Sequence, residues 1–157
     1  MRNRTAAARR TAIIASLGSM FALALPVLAK SPVDAVNQSR KGIAAKGYDV
    51  VAYFTQSAPV KGQEQFRHSW NGATFLFASA ANRDAFAKSP EKYAPQFGGY
   101  CAWAVGHGYT ADIDPEAWRI VNGKLYLNYS KDIQKKWMQD QDKWIMEGNR
   151  NWPSLHK

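Results

Sequence analysis

A single segment decides the fold that this sequence predicts: Glu64-Gln65-Phe66-Arg67-His68-Ser69-Trp70-Asn71-Gly72-Ala73-Thr74-Phe75-Leu76-Phe77-Ala78. Its centre, Asn71-Gly72, is the strongest short hairpin signal, because both central residues of a type I′ turn need a positive φ. A two-residue turn also fixes the register, with three cross-strand pairs on one face: Trp70 with Ala73, His68 with Phe75 and Phe66 with Phe77. His68 is therefore expected to point into an aromatic face.

A second hairpin is predicted around Asn122-Gly123, between Trp118–Val121 and Lys124–Tyr129. Apolar residues alternate along both strands, which is typical of strands with one buried face. The predicted buried face consists of Trp118, Ile120, Leu125, Leu127 and Tyr129. The two Asn-Gly hairpins together predict an antiparallel sheet.

Two helices are predicted, one after each hairpin. Ser79 is expected to cap a helix over residues 80–88, because a serine side chain accepts a hydrogen bond from the first turn of a helix. Ser130 is expected to cap a longer helix over 131–147, which Gly148 would end. Hairpins followed by helices predict a small single domain of the α+β class.

A buried segment is predicted ahead of the first hairpin. Tyr48–Phe54 is a short run of apolar, β-branched and aromatic residues, and we expect a buried strand or extended segment here. Residues 56–63 contain Pro59 and Gly62 and predict a loop.

The beginning of the chain has the pattern of an export signal. Four arginines open it, an apolar run covers Ala12–Leu25, and Val27-Leu28-Ala29 is typical of a cleavage site. A retained anchor is the alternative, but the apolar run is shorter than the ~20 residues of a membrane span. We therefore expect a signal peptide over 1–29, cleaved after Ala29, no stable transmembrane anchor afterwards, and a periplasmic or secreted protein. The rest divides into a flexible leader (30–45), the domain (46–147) and a C-terminal tail (148–157).

The charge pattern argues against a nucleic-acid partner. The chain has 21 Lys and Arg against 12 Asp and Glu. Four of the basic residues lie in the predicted signal peptide, which leaves 17 against 12. The remaining basic residues are scattered and form no stripe of the kind that nucleic acid requires. An envelope protein or a metal ion is the expected partner.

The stretch from Pro90 to Gly108 contains most of the residues that could bind a metal or take part in a redox reaction. This stretch holds the only cysteine, Cys101, together with His107 and the pair Gly98-Gly99. The two glycines allow a positive φ and a close approach to another group, so they and Tyr100 are interpreted as a positioning loop for the thiol. A single cysteine forms no internal disulfide, and the absence of a C-x-x-C motif excludes a self-contained dithiol cycle.

Several segments together resemble one family. Phe75–Phe86 and Ser89–Tyr93 are similar to the core of a YHS domain, and Gly47–Phe54 is similar to its opening segment. Gly98–Cys101 and Gly123–Tyr129 resemble the exported, stand-alone YHS-domain proteins of bacteria. The resemblance extends from Lys46 to about Trp137. YHS domains occur beside metal-transporting ATPases and in some oxygenases, so the resemblance implies a metal-binding module in which cysteines hold the metal.

The cysteines of that pattern are missing in this chain. The family positions are occupied by Ala52, Ala78 and Asn82. A thiolate site needs sulfurs that converge at about 2.3 Å from the metal. Alanine offers no ligand atom and asparagine only a hard oxygen, so the usual YHS metal site is expected to be absent.

Cys101, with His107 and His68, is the alternative metal or redox site. Some exported members of the family carry selenocysteine at the matching position, which implies redox or soft-metal chemistry there. Thiolate and imidazole suit Cu(I) or Zn(II). A small buried cysteine, a core histidine at 68 and a loop histidine at 107 are the structural alternatives.

The sequence therefore predicts an exported YHS-family binding module that handles a metal or a redox reaction, without a catalytic site of its own. Two other functions stay open. Cys101 could be a single reactive thiol that uses an external resolving thiol. Exposed aromatic residues could instead dock a protein or a glycan.

Overall fold

The computed structural model describes residues 32–157, so the predicted signal peptide lies outside the described residues. Within residues 32–157, no helix combines the length and the apolar character that crossing a bilayer requires. Helices surround two small antiparallel sheets, which confirms the α+β class.

The elements alternate between hairpins and short helices. The strands are β1 (Gln63–Trp70), β2 (Ala73–Phe77), β3 (Asp114–Val121) and β4 (Lys124–Asn128). The helices are α1 (Ala52–Thr55), α2 (Ala80–Lys88), α3 (Pro90–Tyr93), α4 (Ala102–Gly106), α5 (Lys131–Met138) and α6 (Gln141–Leu155), with 3₁₀ turns at Ala45–Gly47 and Gln96–Gly99.

Both predicted hairpins are present, but they form two separate sheets rather than one. The second edge of β2 is occupied by the segment before the 3₁₀ turn at Ala45. Thr74 N donates to Gly42 O over 2.8 Å, and Ala44 N donates to Thr74 O over 2.9 Å. The second edge of β2 is therefore hydrogen-bonded to residues 42–44 and does not pair with the second hairpin.

The register of the first hairpin agrees with the prediction only near the turn. Trp70 pairs with Ala73 and His68 with Phe75, as predicted. Phe77 pairs with Gln63 and not with Phe66, because β1 bulges between residues 63 and 67. A bulge adds residues to one strand, so strict alternation from the turn no longer holds beyond it.

Strand β4 of the second hairpin has buried side chains on both faces, whereas one buried face was predicted. Leu125 and Leu127 are buried on one face of β4, and Tyr126 is buried on the other. The Tyr126 ring packs against Phe97 and Trp137, at centroid distances of 5.9 and 5.4 Å. Tyr129 was predicted to be buried but is 59% exposed, because it lies past the end of β4, where strand alternation no longer applies.

The segment over 48–54, predicted as a buried strand or extended segment, makes an isolated β bridge at Tyr48, to Lys61, and enters a helical turn at Ala52. Its burial was predicted correctly, since Val50, Val51 and Tyr53 are all buried. Its shape differs because the Asp49 carboxylate accepts hydrogen bonds from Val51 N (2.9 Å) and Ala52 N (3.2 Å). A side chain that accepts from the N–H groups two and three residues later favours a turn over a continued strand.

The predicted helix over 131–147 is two helices. Ser130 caps α5 through its Oγ, which accepts from Ile133 N over 3.2 Å, as predicted. The chain then breaks after Met138 and restarts as α6, which continues past Gly148 through most of the predicted tail. Gly148 does not end the helix; a Cβ atom there would lie 2.5 Å from the Phe97 ring.

The leader predicted to be flexible is packed against the domain where the structure describes it. Val33 N donates to Leu155 O, and Lys157 N donates to Val33 O. Val36 is buried, and Asn37 N donates to Gly98 O over 2.8 Å. These bonds join the beginning of the described chain to its last helix.

Candidate functional site

The Cys101 thiol is buried at the start of α4. The residue is 1% exposed, and its backbone N donates to Ala111 O over 3.0 Å. The thiol donates to Asn128 Oδ1 over 3.7 Å, and Tyr129 N donates to the sulfur over 3.3 Å. Strand β4 and the residue after it therefore fix the position of the sulfur.

Asn128 is a site residue that the sequence analysis missed. It is 0% exposed, and its Oδ1 also accepts from Trp103 N over 3.1 Å, in the first turn of α4. Its Nδ2 has no hydrogen-bond partner among the described residues. The available signal was a polar residue that directly continues the apolar run Leu125-Tyr126-Leu127.

A small cavity lies over Cys101, and we call it the Cys101 pocket. Its volume is about 210 Å³. It is lined by Cys101, Trp103, Ala104, Tyr109, Ala111, Tyr129 and Ile133. Tyr109 is 42% exposed and Tyr129 is 59% exposed, so part of the aromatic wall faces solvent. The pocket combines one soft ligand atom with an apolar, aromatic surface.

The surroundings of Cys101 favour the neutral thiol. Burial raises the pKa of the Cys101 thiol, and the N–H groups of Ala104, Tyr129 and Trp103 offset this only in part. A reactive cysteine needs a lowered pKa, because the thiolate is the nucleophile. The environment is therefore opposite to that of an activated thiol.

We expect Cys101 of the folded protein to alkylate slowly at neutral pH. Because the thiol is 1% exposed and its raised pKa leaves less thiolate at pH 7 than in an unfolded chain, iodoacetamide should react markedly more slowly with the folded protein. The rate should rise with pH, beyond the range where an ordinary cysteine levels off. Mass spectrometry of quenched samples measures this, with the urea-unfolded chain as the control. Equal rates for the folded and unfolded chains at pH 7 would contradict this prediction, because they would show a thiol that is accessible and has no raised pKa.

His107 is placed next to the pocket wall but not in the pocket. Its ring stacks on Trp144 at 4.2 Å and on Trp103 at 4.3 Å. Its Nδ1 lies 2.7 Å from Trp103 O, and a carbonyl oxygen only accepts, so Nδ1 carries a hydrogen. The imidazole thus closes the C-terminal end of α4, while Trp103 contacts both His107 and the pocket.

His68 lies in the first hairpin, on the aromatic face where the sequence placed it. Its ring meets Phe86 edge-on at 6.1 Å. Neither His68 nor His107 lines the Cys101 pocket. Across residues 32–157, the structure brings together no cluster of three or more His, Cys, Asp and Glu side chains that could hold a metal ion.

The predicted positioning loop acts mainly on the N-terminal segment. Gly98 and Gly99 have φ values of 61° and 79°, in the region that favours glycine. Asn37 donates from its backbone to Gly98 O and from its side chain to Gly99 O. The Tyr100 ring packs against Trp152 at 5.8 Å. The close backbone approach expected of this pair is present, and its partner is residues 35–37.

The three positions where the family pattern has cysteine converge on Asp49, which is 0% exposed. Ala52 N donates to its Oδ1 over 3.2 Å. Ala78 N and Asn82 Nδ2 donate to its Oδ2 over 2.8 and 2.7 Å. No sulfur is present at these positions, and the polar groups that meet here are N–H donors, which do not bind cations.

Comparison with known proteins identifies the class of domain. Residues 51–97 match the model of the YHS domain family, which is consistent with a YHS-domain-containing protein. The match covers a little under a third of the chain. It includes Ala52, Ala78 and Asn82 and stops before Cys101. No curated protein and no solved structure matches the chain.

Proposed function

We propose that this protein is an exported YHS-domain binding module without a catalytic site of its own, and that it binds Cu(I) through Cys101. The observation that supports this is the position of the only thiol, at an aromatic-lined pocket of about 210 Å³. Thiolate sulfur is a ligand that Cu(I) prefers. Binding would displace the thiol proton, so affinity should rise with pH.

Cu(I) fits this site better than Zn(II). Structural zinc is almost always bound by four protein ligands in a tetrahedron. Within the described residues the Cys101 pocket offers one sulfur and no imidazole or carboxylate. A soft ion with a low coordination number needs only one further donor, which a small thiol or a partner protein would supply through the open side of the pocket.

The hydrogen-bond partners of Cys101 support a binding role over catalysis. A nucleophilic thiol is activated by an adjacent base or by a lowered pKa. Here the partners are the Asn128 amide and the Tyr129 backbone, neither of which is a base. The raised pKa of the thiol likewise opposes a peroxide-reactive or thiol-exchanging role.

Replacing Cys101 is expected to abolish Cu(I) binding. The mature protein, beginning at Lys30 and purified under reducing conditions, should take up one Cu(I) per chain in competition with a chromogenic chelator. Cys101→Ala should lower the affinity by at least about a hundredfold, because no other soft donor lines the pocket. His107→Ala is the matched control and should retain binding. Unchanged affinity in Cys101→Ala would overturn the proposal.

The exposed tyrosines favour a second candidate function, docking of a protein or glycan on the pocket rim. Tyr109 and Tyr129 are among the most exposed large hydrophobic residues of the described chain. Tyrosine is enriched at interfaces because its ring is apolar and its hydroxyl polar. A partner that still binds Cys101→Ala but not Trp103→Ala would support docking instead of metal binding.

A further inference from the structure

We propose that Asp49 and Asn82 do in this chain what a bound metal is expected to do at the same place in a YHS domain, and that the domain folds without a metal there. This inference is independent of the proposed function, which concerns Cys101. We call the Asp49 carboxylate and its four N–H donors the Asp49 node.

The node joins three parts of the chain. Asp49 Oδ1 accepts from Val51 N and Ala52 N, at the opening turn. Asp49 Oδ2 accepts from Ala78 N, directly after β2, and from the Asn82 side chain in the first turn of α2. These positions are 29 and 33 residues from Asp49 in sequence, so the bonds hold distant segments together.

The node leaves no lone pair for a cation. An ionised carboxylate has about four acceptor sites, two on each oxygen. Each oxygen of Asp49 receives two N–H donors, over distances of 2.7–3.2 Å. A metal ion would have to displace at least one of these bonds and would then face N–H groups. The donor set therefore does not fit a metal.

Hydrogen bonds also explain how a buried carboxylate is tolerated. Asp49 takes part in no ion pair among residues 32–157. A buried charge without partners is costly, but hydrogen bonds to an ionised group are roughly twice as strong as those between neutral groups. Asn82 supplies the fourth of these hydrogen bonds, and its Nδ2 makes the shortest bond to the carboxylate. The backbone N of Asn82 donates to the Oγ of Ser79, which caps α2.

The first test is metal dependence of the unfolding temperature. The mature protein should unfold at the same temperature after treatment with a chelator and after addition of Zn(II). A Tm that falls on chelation, in the wild type and equally in Cys101→Ala, would overturn the inference. Cu(I) should raise the Tm of the wild type but not that of Cys101→Ala. If Cu(I) did not raise the Tm of the wild type, this would count against the proposed function alone.

The second test is coupling between the two residues. Asp49→Asn removes acceptor capacity and should lower the Tm by on the order of 10 °C. Asn82→Ala should lower it by about 5 °C in the wild type and much less in Asp49→Ala, because the interaction is already lost. Arg83→Ala, on the same helix, is the control and should change little. If the decreases in Tm caused by Asp49→Ala and Asn82→Ala were fully additive, the inference would be overturned. If Asp49→Ala does not fold, the Tm of Asn82→Ala and the chelator measurements test the inference.

Discussion

Replacing Gly98 with alanine is expected to destabilise the domain by about 3 kcal/mol or more. Gly98 has a φ of 61°, where an L-residue is strained. A Cβ atom there would also overlap the carbonyl oxygen of Ala35. The backbone of residues 35–37 would have to move away, and the bond from Asn37 N to Gly98 O would be lost. Urea unfolding followed by tryptophan fluorescence measures the loss.

Gly72→Ala is the matched control for this prediction. Gly72 also has a positive φ, 80°, but none of residues 32–157 places a non-neighbouring heavy atom within 4 Å of its ideal Cβ position. Only the backbone strain remains there, and about 1 kcal/mol is expected. If both variants lost the same free energy of unfolding, the close approach of Ala35 would contribute nothing to stability.

Replacing Phe86 with alanine is expected to cost about 3–5 kcal/mol. Phe86 is fully buried and is the ring on which the aromatic residues of the first hairpin converge. Its ring centroid lies 4.7 Å from that of Phe75, 5.1 Å from that of Phe77 and 6.0 Å from that of Trp70. Truncation would leave a cavity under the whole hairpin, because rigid rings do not collapse into it.

A variant that leaves a smaller cavity is the control. Phe86→Leu retains most of the buried apolar volume and should cost less than half as much as Phe86→Ala, in the same urea titration. An increase in the urea m-value would indicate a changed denatured or native state instead of a simple cavity. Equal losses for Leu and Ala would contradict a packing role for the ring.

The features that sequence predicted correctly depend on a few neighbouring residues. Each Asn-Gly turn needs only its own two φ values, and these are positive at both turns: Asn71, Gly72, Asn122 and Gly123. The serine caps of α2 and α5 bond to the residue three positions later. Local rules of this kind are readable from a sequence because no distant partner takes part.

The features that sequence did not predict depend on distant partners. The helical turn after Asp49 requires that this side chain be buried, and residues 78 and 82 complete its hydrogen bonds. The helical position of Gly148 depends on packing against Phe97, 51 residues earlier in the chain. The bulge in β1 likewise has no sequence signal, since neither glycine nor proline lies between residues 63 and 67.

The candidate site shows the same division. Cys101 stands out in the sequence as the only thiol, and the structure places it at the start of α4. Asn128, 27 residues later, was not, because its role comes from a contact between β4 and the start of α4. The predicted histidines are chemically suitable ligands, yet His68 belongs to the first hairpin and His107 stacks on Trp144, so neither reaches the pocket.

The bonds between Val33 and residues 155–157 have a consequence for the order of folding. They join residues more than 120 positions apart in the sequence, whereas the paired residues of each hairpin are at most about fifteen positions apart. Closing a long loop costs more chain entropy than closing a short one, and contacts between distant residues form slowly. We therefore expect the bonds of Val33 to form after α6, and a chain shortened by its final few residues to lose these bonds while Asn37 stays bonded to Gly98.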